Sequence, residues 1–335
     1  YKVKGKEGTT VDITVIRKGV EMTMTLTRGK VEIPSVSYFM VNDTKIGCIV
    51  VDNFYEIALL KEISEAKQQK MNILLRVTPG VEAHTHDFIT TGQADSKFGF
   101  DLNNGQADEA FAQVKGHPYL NLLGLHCHIG SQIFETDGFA LAAGKVMNKM
   151  GAWKQTHGFE CSVLNLGGGF GIRYTEEDKP LEPHVYVEEM IKSVQAEAEA
   201  VKLAMPEIWI EPGRSLVGDA GTSLYTVGSQ KTVPGVREYI AVDGGMSDNI
   251  RPALYDAKYE AIIANKANQA KNATYTVAGK LCESGDKLII DAELQKAESG
   301  DILAMFCTGA YGYSMASNYN RVTRPAVVFV EAGEH

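Results

Sequence analysis

Apolar runs that end in short polar loops, each loop followed by a helix-like stretch, recur along the middle of this chain at spacings of about 40 residues, and this repeat constrains the fold most. The loops are His126-Cys127-His128-Ile129-Gly130-Ser131-Gln132 after residues 121–125, Gly167-Gly168-Gly169-Phe170-Gly171 after 163–166, and Glu211-Pro212-Gly213-Arg214 after 208–210. Strand, loop and helix in series is how a parallel α/β barrel displays side chains at one rim. The three loops supply a flat imidazole, a glycine-rich stretch and a carboxylate beside an arginine. That set suits a phosphate-bearing nitrogen heterocycle.

The surrounding pattern extends the series. Strands are expected at 46–51, 73–77, 122–125, 163–166 and 208–210, with helices at 55–69, 138–156 and 185–201 and a short helix before Lys115. Phe139, Ala142, Ala143, Val146, Met150 and Trp153 recur at helical spacing and form one core-facing stripe. Residues 1–48 behave differently. Val11, Ile13 and Val15 alternate with polar neighbours, Arg17-Lys18-Gly19 turns the chain, and Val20, Met22, Met24 and Leu26 alternate again, as in a β-hairpin. After Ser215 the helices thin out. Short strands are expected at 224–227, 238–242, 274–279, 287–290, 302–306 and 326–330, forming a separate β sandwich or barrel. The expected domains are therefore 1–48, 49–215 and 216–335.

Composition removes several classes of function. The 335 residues, 44% hydrophobic, suffice for more than one core. A formal charge of −9 without a basic stripe argues against a nucleic-acid partner. The five cysteines, at 48, 127, 161, 282 and 307, never form a C-x-x-C pair and read as reduced thiols of a cytoplasmic protein. Neither a leader peptide nor a membrane-spanning run is recognised. The chain opens at Tyr1 and stops at His335, so it reads as a fragment.

Two readings stay open at each polar cluster. Gly167, Gly168 and Gly169 make either a tight turn or an anion cradle of bare amides. They match neither a Walker loop nor a dinucleotide fingerprint. Glu211, at the end of a buried strand, either pairs with a base such as Arg214 or holds a proton on a heterocyclic nitrogen while Arg214 meets an anion. His126 and His128 are expected to face opposite sides, which argues against a shared metal, and no metal site is expected. His128 can stack on a ring while Ser131 touches phosphate. His84 and His86 read as a solvated pair. Arg251 and Tyr255 lie about one helical turn apart and can share a face. Cys282-Glu283-Ser284-Gly285-Asp286 reads as a turn, and Tyr311 is flanked by glycines at 309 and 312.

Taken in order, the three loops, Asn249–Tyr255, Cys282–Asp286 and Gly309–Met315 resemble the diaminopimelate decarboxylase family, pyridoxal 5′-phosphate enzymes with an alanine-racemase-like barrel, from about residue 49 to the end. The resemblance implies that His128 stacks on the cofactor ring, and that Ser131, Gly167, Gly168, Gly169 and Gly213 surround its phosphate. Glu211 would pair with the ring nitrogen. Arg214, Arg251 and Tyr255 would hold substrate carboxylates, Glu283 the distal amino group, and Tyr311 both cofactor and substrate. Cys282, reaching across a homodimer interface, would donate the proton. The substrate the resemblance implies is a small amino acid, meso-2,6-diaminopimelate. Related decarboxylases of arginine, ornithine or carboxynorspermidine are the alternatives.

The family's Schiff-base lysine, in a Tyr-Ala-x-Lys-Ala-like segment upstream of residue 49, has no counterpart here. The expected fold is therefore α/β: an incomplete (β/α)8 TIM-type barrel of about five of eight βα units, then a C-terminal β domain. Little or no activity is expected of the chain alone. Residues 1–48, especially 28–38, resemble instead the end of a PDZ module of a C-terminal processing peptidase, which suggests a chimera joined near 46–51. A non-catalytic fusion is the remaining alternative.

Overall fold

The computed structural model describes residues 8–17, 20–27, 37–40, 47–81 and 96–330. The N-terminal hairpin is present: β1 (Thr10–Arg17) and β2 (Val20–Thr27) pair antiparallel, from Thr10 opposite Thr27 to Arg17 opposite Val20. The middle of the expected peptidase-like stretch (28–36), Ile46 and the His84/His86 pair lie outside the described residues.

A second sheet of seven strands carries the polar loops. It comprises β3 (Ser37–Met40), β4 (Gly47–Val51), β5 (Met71–Thr78), β6 (Phe100–Asp101), β7 (Leu120–His126), β8 (Val163–Asn165) and β9 (Glu207–Trp209). From β4 through β5, β7 and β8 to β9 every pairing is parallel; β6 pairs parallel with β5, and β3 adds antiparallel to β4. Among the described residues no pairing joins β3 to β9. Parallel direction puts the loops after β7, β8 and β9 at one edge, where ligands bind in α/β sheets.

Helices cover the sheet. The first is α1 (Phe54–Lys67), capped by the Asn53 side chain, which accepts the Glu56 N–H at 3.0 Å. It is followed by α2 (Gln106–Val114), α3 (Asp137–His157) and α4 (Pro183–Ala200). The stripe read on α3 is buried from Phe139 to Trp153, and Gly158 ends that helix in a left-handed conformation, φ 63°. Phe170, inside the glycine loop, is the bolt between loop and helices. Its ring lies 4.9 Å from Tyr186, nearly parallel at 3°, and 5.7 Å edge-on from Phe139. The Tyr186 hydroxyl donates to the Ile133 carbonyl at 2.9 Å, tying α4 to the neighbouring loop. Phe170→Ala is expected to cost about 3–5 kcal/mol, the range for truncating a buried aromatic, measured by urea unfolding.

After the short α5 (Arg214–Val217), the chain builds a six-stranded sheet from β10 (Ser223–Val233), β11 (Arg237–Val242), β12 (Ala261–Ile263), β13 (Ala273–Ala278), β14 (Lys287–Leu294) and β15 (Ile302–Met305). Its order is β12-β15-β10-β11-β13-β14, antiparallel except for β11 beside β13. Helix α6 (Arg251–Tyr255) and α7 (Gly312–Met315) return to the polar edge of the parallel sheet. Tyr174, just past the glycine loop, packs with Tyr225 and Tyr259 in the core of the β domain.

The strand expectations need correction in two ways. The two-residue β6 and the three-residue β12 were missed, because runs so short carry no periodicity. Residues 326–330, expected as a strand, adopt no strand: Phe329 is 90% exposed, and no described strand pairs with the segment. β-branched composition favours extended backbone, but a strand also needs a partner ladder.

Candidate active site

The backbone ladder continues one step past the strand ends and draws the three polar loops together. The Cys127 N–H donates to Asn165 O at 2.8 Å, that of Leu166 to Trp209 O at 3.0 Å, and that of Glu211 to Gly167 O at 2.8 Å. Gln132 adds a two-way clasp to Ile172, donating from its side chain at 2.7 Å and accepting at 3.1 Å. The approach is close enough that glycine is required: a Cβ on Gly168 would lie 2.0 Å from Glu211 O, and one on Gly167 2.6 Å from Cys127 O.

Glu211 occupies the centre. Its Oε2 meets His126 Nε2 at 3.2 Å and its Oε1 accepts from Asn165 Nδ2 at 2.9 Å. Burial pushes its carboxyl up, but the hydrogen bonds and the nearby imidazoles outweigh burial and hold it at about 2. The side chain nevertheless stays 43% exposed, so it remains open to a ligand. Glu211 is thus paired with a base, as one of its two readings had it, but that base is His126 and not Arg214.

The expectation that His126 and His128 face opposite sides was wrong. Residues two apart on an extended strand share a face, and β7 ends at His126. Both imidazoles act on the Glu211 carboxylate. The Gly168 N–H donates to His128 Nδ1 at 3.2 Å. Burial lowers His128 to about 4, helped by the neighbouring Arg76 and His126, so it is a neutral ring at physiological pH. An unfolded chain takes up that proton between 6.5 and about 4 while the folded one refuses it. Stability is therefore full above 6.5 and falls as pH drops toward 4; Glu211 loses its contribution only at lower pH. Melting curves across this interval are expected to fall more steeply for the native chain than for His128→Phe. Equal slopes would contradict the burial of a neutral His128.

The glycine amides need a partial correction. Those of Gly167 and Gly168 donate to Asn165 Oδ1 at 2.9 Å and to His128 Nδ1, and Gly171 donates to Ile133 O at 2.9 Å. The ring of bare amides expected over residues 167–169 is thus largely engaged within the protein. The glycines mainly permit close packing of the loops.

Positive charge comes instead from two buried arginines. Arg214 is 4% exposed and Arg251 7%. Arg214 donates to Ser131 Oγ from Nη2 at 2.9 Å and Nε at 3.3 Å, and to the Tyr174 hydroxyl from Nη1. Arg251 donates from Nε to the Tyr259 hydroxyl at 2.9 Å. The Tyr311 ring lies between them, 5.0 Å from the Arg214 guanidinium and 5.8 Å from that of Arg251. Tyr255 sits 5.4 Å from Arg251, so the face predicted for that pair exists. The Tyr311 hydroxyl comes within 3.9 Å of a Cβ built on Gly213, and Tyr311 itself holds a left-handed φ of 63°. Among the described residues the arginine ion pairs are those of Arg76, Arg173 and Arg237, so neither Arg214 nor Arg251 has a carboxylate partner. Two buried, uncompensated guanidiniums make a site for anions.

Cys282 is exposed, and no described contact joins it or Glu283 to Glu211, His128 or Arg214. Glu283 accepts from the Tyr319 hydroxyl and lines a cavity of about 360 Å³ with Met246, Ile250 and Ser317. A larger cleft, about 960 Å³, lies elsewhere, between residues 252–261 and β14. Among the described residues no group of metal ligands occurs, and no helix is long and apolar enough to cross a membrane.

A neutral flat ring, an ionised carboxylate and a hydroxyl held by an arginine fit a phosphorylated pyridine. Comparison with known proteins agrees. Residues 35–218 match the model of the pyridoxal-dependent decarboxylase family, pyridoxal binding domain. The chain belongs to the pyridoxal-dependent decarboxylases, and its cofactor is pyridoxal 5′-phosphate. Similar curated proteins are the diaminopimelate decarboxylases of Bacillus subtilis, 64% identical over 88% of this chain and 67% of that protein, and Staphylococcus aureus, 46% identical over 87% and 68%. Among solved structures, the M. jannaschii diaminopimelate decarboxylase in complex with L-lysine matches with TM-score 0.75 at 38% identity, covering 83% of this chain and 63% of that one. The Helicobacter pylori enzyme with L-lysine gives 0.72 at 31%, covering 81% and 64%. The chain spans about two thirds of the curated relatives' length and slightly less of these solved chains.

Proposed function

We propose that this chain is the cofactor- and substrate-binding part of a diaminopimelate decarboxylase, converting meso-2,6-diaminopimelate and a proton to L-lysine and carbon dioxide. The observation that carries the reading is the pair of buried arginines, without a carboxylate partner among the described residues, beside Glu211 and His128. Arg214, with Ser131, faces the phosphate of the cofactor. Arg251, with Tyr255 and Tyr311, faces a substrate carboxylate. The neutral His128 supplies a flat surface for the ring, and Glu211 an ionised oxygen for the ring nitrogen. When bound, pyridoxal phosphate supplies the protonated ring that accepts the electron pair left as carbon dioxide departs.

Finer parts of the reading stand as proposals. Glu283 holds the distal ammonium, and Cys282, reaching across a homodimer interface, donates a proton to the reacting carbon. The parallel sheet is about five of the eight βα units of a barrel, in a cytoplasmic protein. Residues 1–335 contain no lysine in a Tyr-Ala-x-Lys-Ala-like setting, so no residue here is assigned the Schiff base, and the chain alone is expected to release little or no carbon dioxide. The N-terminal likeness to a PDZ module belongs to the same proposal.

The test is equilibrium dialysis of the chain against pyridoxal 5′-phosphate and pyridoxal, alongside carbon dioxide release from meso-diaminopimelate, arginine, ornithine and carboxynorspermidine. Phosphate-dependent binding without turnover is expected. No binding would remove the cofactor assignment; robust lysine production would remove the claim of inactivity.

A further inference from the structure

His126 carries a feature that a packed core histidine lacks. Its side chain is 4% exposed, its Nδ1 is buried without a partner, and its Nε2 is aimed at Glu211. A histidine retained only for packing is expected to satisfy both nitrogens, because a bare buried acceptor costs about 1–3 kcal/mol. Here the ring is committed through one nitrogen to one carboxylate. That contact fixes the tautomer with the proton on Nε2. Asn165 holds the other carboxylate oxygen and is itself fixed by the Gly167 N–H on its Oδ1. The charged and titratable groups packed around the pair are His128 from the same loop, Cys127 between them, and Arg76, which lies opposite His126 across β5 and β7. Arg76 is in turn held by Asp52 at 3.4 Å and seated 4.4 Å over the Phe98 ring.

We infer that His126 is a positioning residue: by donating from Nε2 it fixes the orientation and the ionised state of Glu211 toward the cofactor ring. This rests on the cofactor site proposed above. Without the donor, burial of Glu211 is opposed by one hydrogen bond fewer, and its affinity for a proton rises. Asn165 alone orients one oxygen and leaves the other unheld.

The experiment reads Glu211 directly in the unloaded chain. With ¹³C-carboxyl glutamate, and the signal assigned by Glu211→Gln, native Glu211 is expected to stay flat from about pH 4 to 7. In His126→Phe it is expected to titrate inside that window, a rise of about two pH units or more and so at least about a hundredfold in proton affinity. His126→Gln, which restores an amide donor, is expected to return the flat profile. If the phenylalanine variant does not fold, His126→Met takes its place. A folded variant lacking the donor but with a flat profile would overturn the proposal, because a merely structural histidine predicts that result. A second arm uses pyridoxamine 5′-phosphate labelled with ¹⁵N in the ring. Its nitrogen is expected to lose its proton at lower pH in His126→Phe than in the native chain. Failure of this ligand to bind the native chain would count against the cofactor site, while the unloaded titration still decides the role of His126.

Discussion

Arg214→Leu is expected to weaken pyridoxal 5′-phosphate binding on the order of 100-fold while leaving the affinity for pyridoxal unchanged. The guanidinium is buried, holds Ser131 Oγ at 2.9 Å, and has no carboxylate partner among the described residues, so its unspent charge is available to a phosphate. Hydrogen bonds to charged groups are worth about 1.5–3 kcal/mol each, and every 1.4 kcal/mol is about tenfold in affinity. The same substitution is expected to leave thermal stability equal or raised, because an uncompensated buried charge gives way to an apolar side chain beside Tyr174 and Tyr311. Titration of both ligands, with a melting curve, checks the pair of outcomes. A parallel loss for pyridoxal would mean that Arg214 supports the fold of the pocket and not the phosphate.

Gly168→Ala is expected to reduce cofactor binding by about 100-fold for a different reason, displacement of the site by roughly the ångström scale at which positioning fails. The added methyl would stand 2.0 Å from Glu211 O and 2.7 Å from its carbonyl carbon, both backbone atoms that cannot swing aside. The loops must separate, with a stability cost of about 1–3 kcal/mol. Gly285→Ala, with nothing within 4 Å of the new atom, is the matched control and is expected to change neither quantity. Equal behaviour of the two variants would show that loop contact does not shape the pocket.

Local sequence was informative where the pattern acts over a few positions. The strands under the three loops and the buried stripe of α3 were legible because periodicity and turn residues act within a few positions. His128, Glu211 and Arg214 were legible because a polar residue at the end of an apolar strand stands out. The role of Asn165 was not. It meets Glu211 from 46 positions away, across strands whose pairing no local pattern announces. Tyr174 escaped for the same reason, reaching Arg214 40 positions downstream in sequence. His126 was visible but misplaced, through an error in strand geometry. The glycine loop was read for its amides, whereas the fold uses its missing Cβ atoms. Residues 326–330 show the opposite limit: β-branched composition promised a strand, and partnering decides.

The central claim is that Glu211, His128 and the Ser131–Arg214 pair form one pocket for a phosphorylated pyridine. A crystal structure of the chain soaked with pyridoxamine 5′-phosphate measures this directly. The ligand is expected with its phosphate at Ser131 and Arg214, its ring against His128 and its ring nitrogen at Glu211. Density for the ligand only in the cleft beside β14, or with its phosphate turned toward Glu211, would contradict the account.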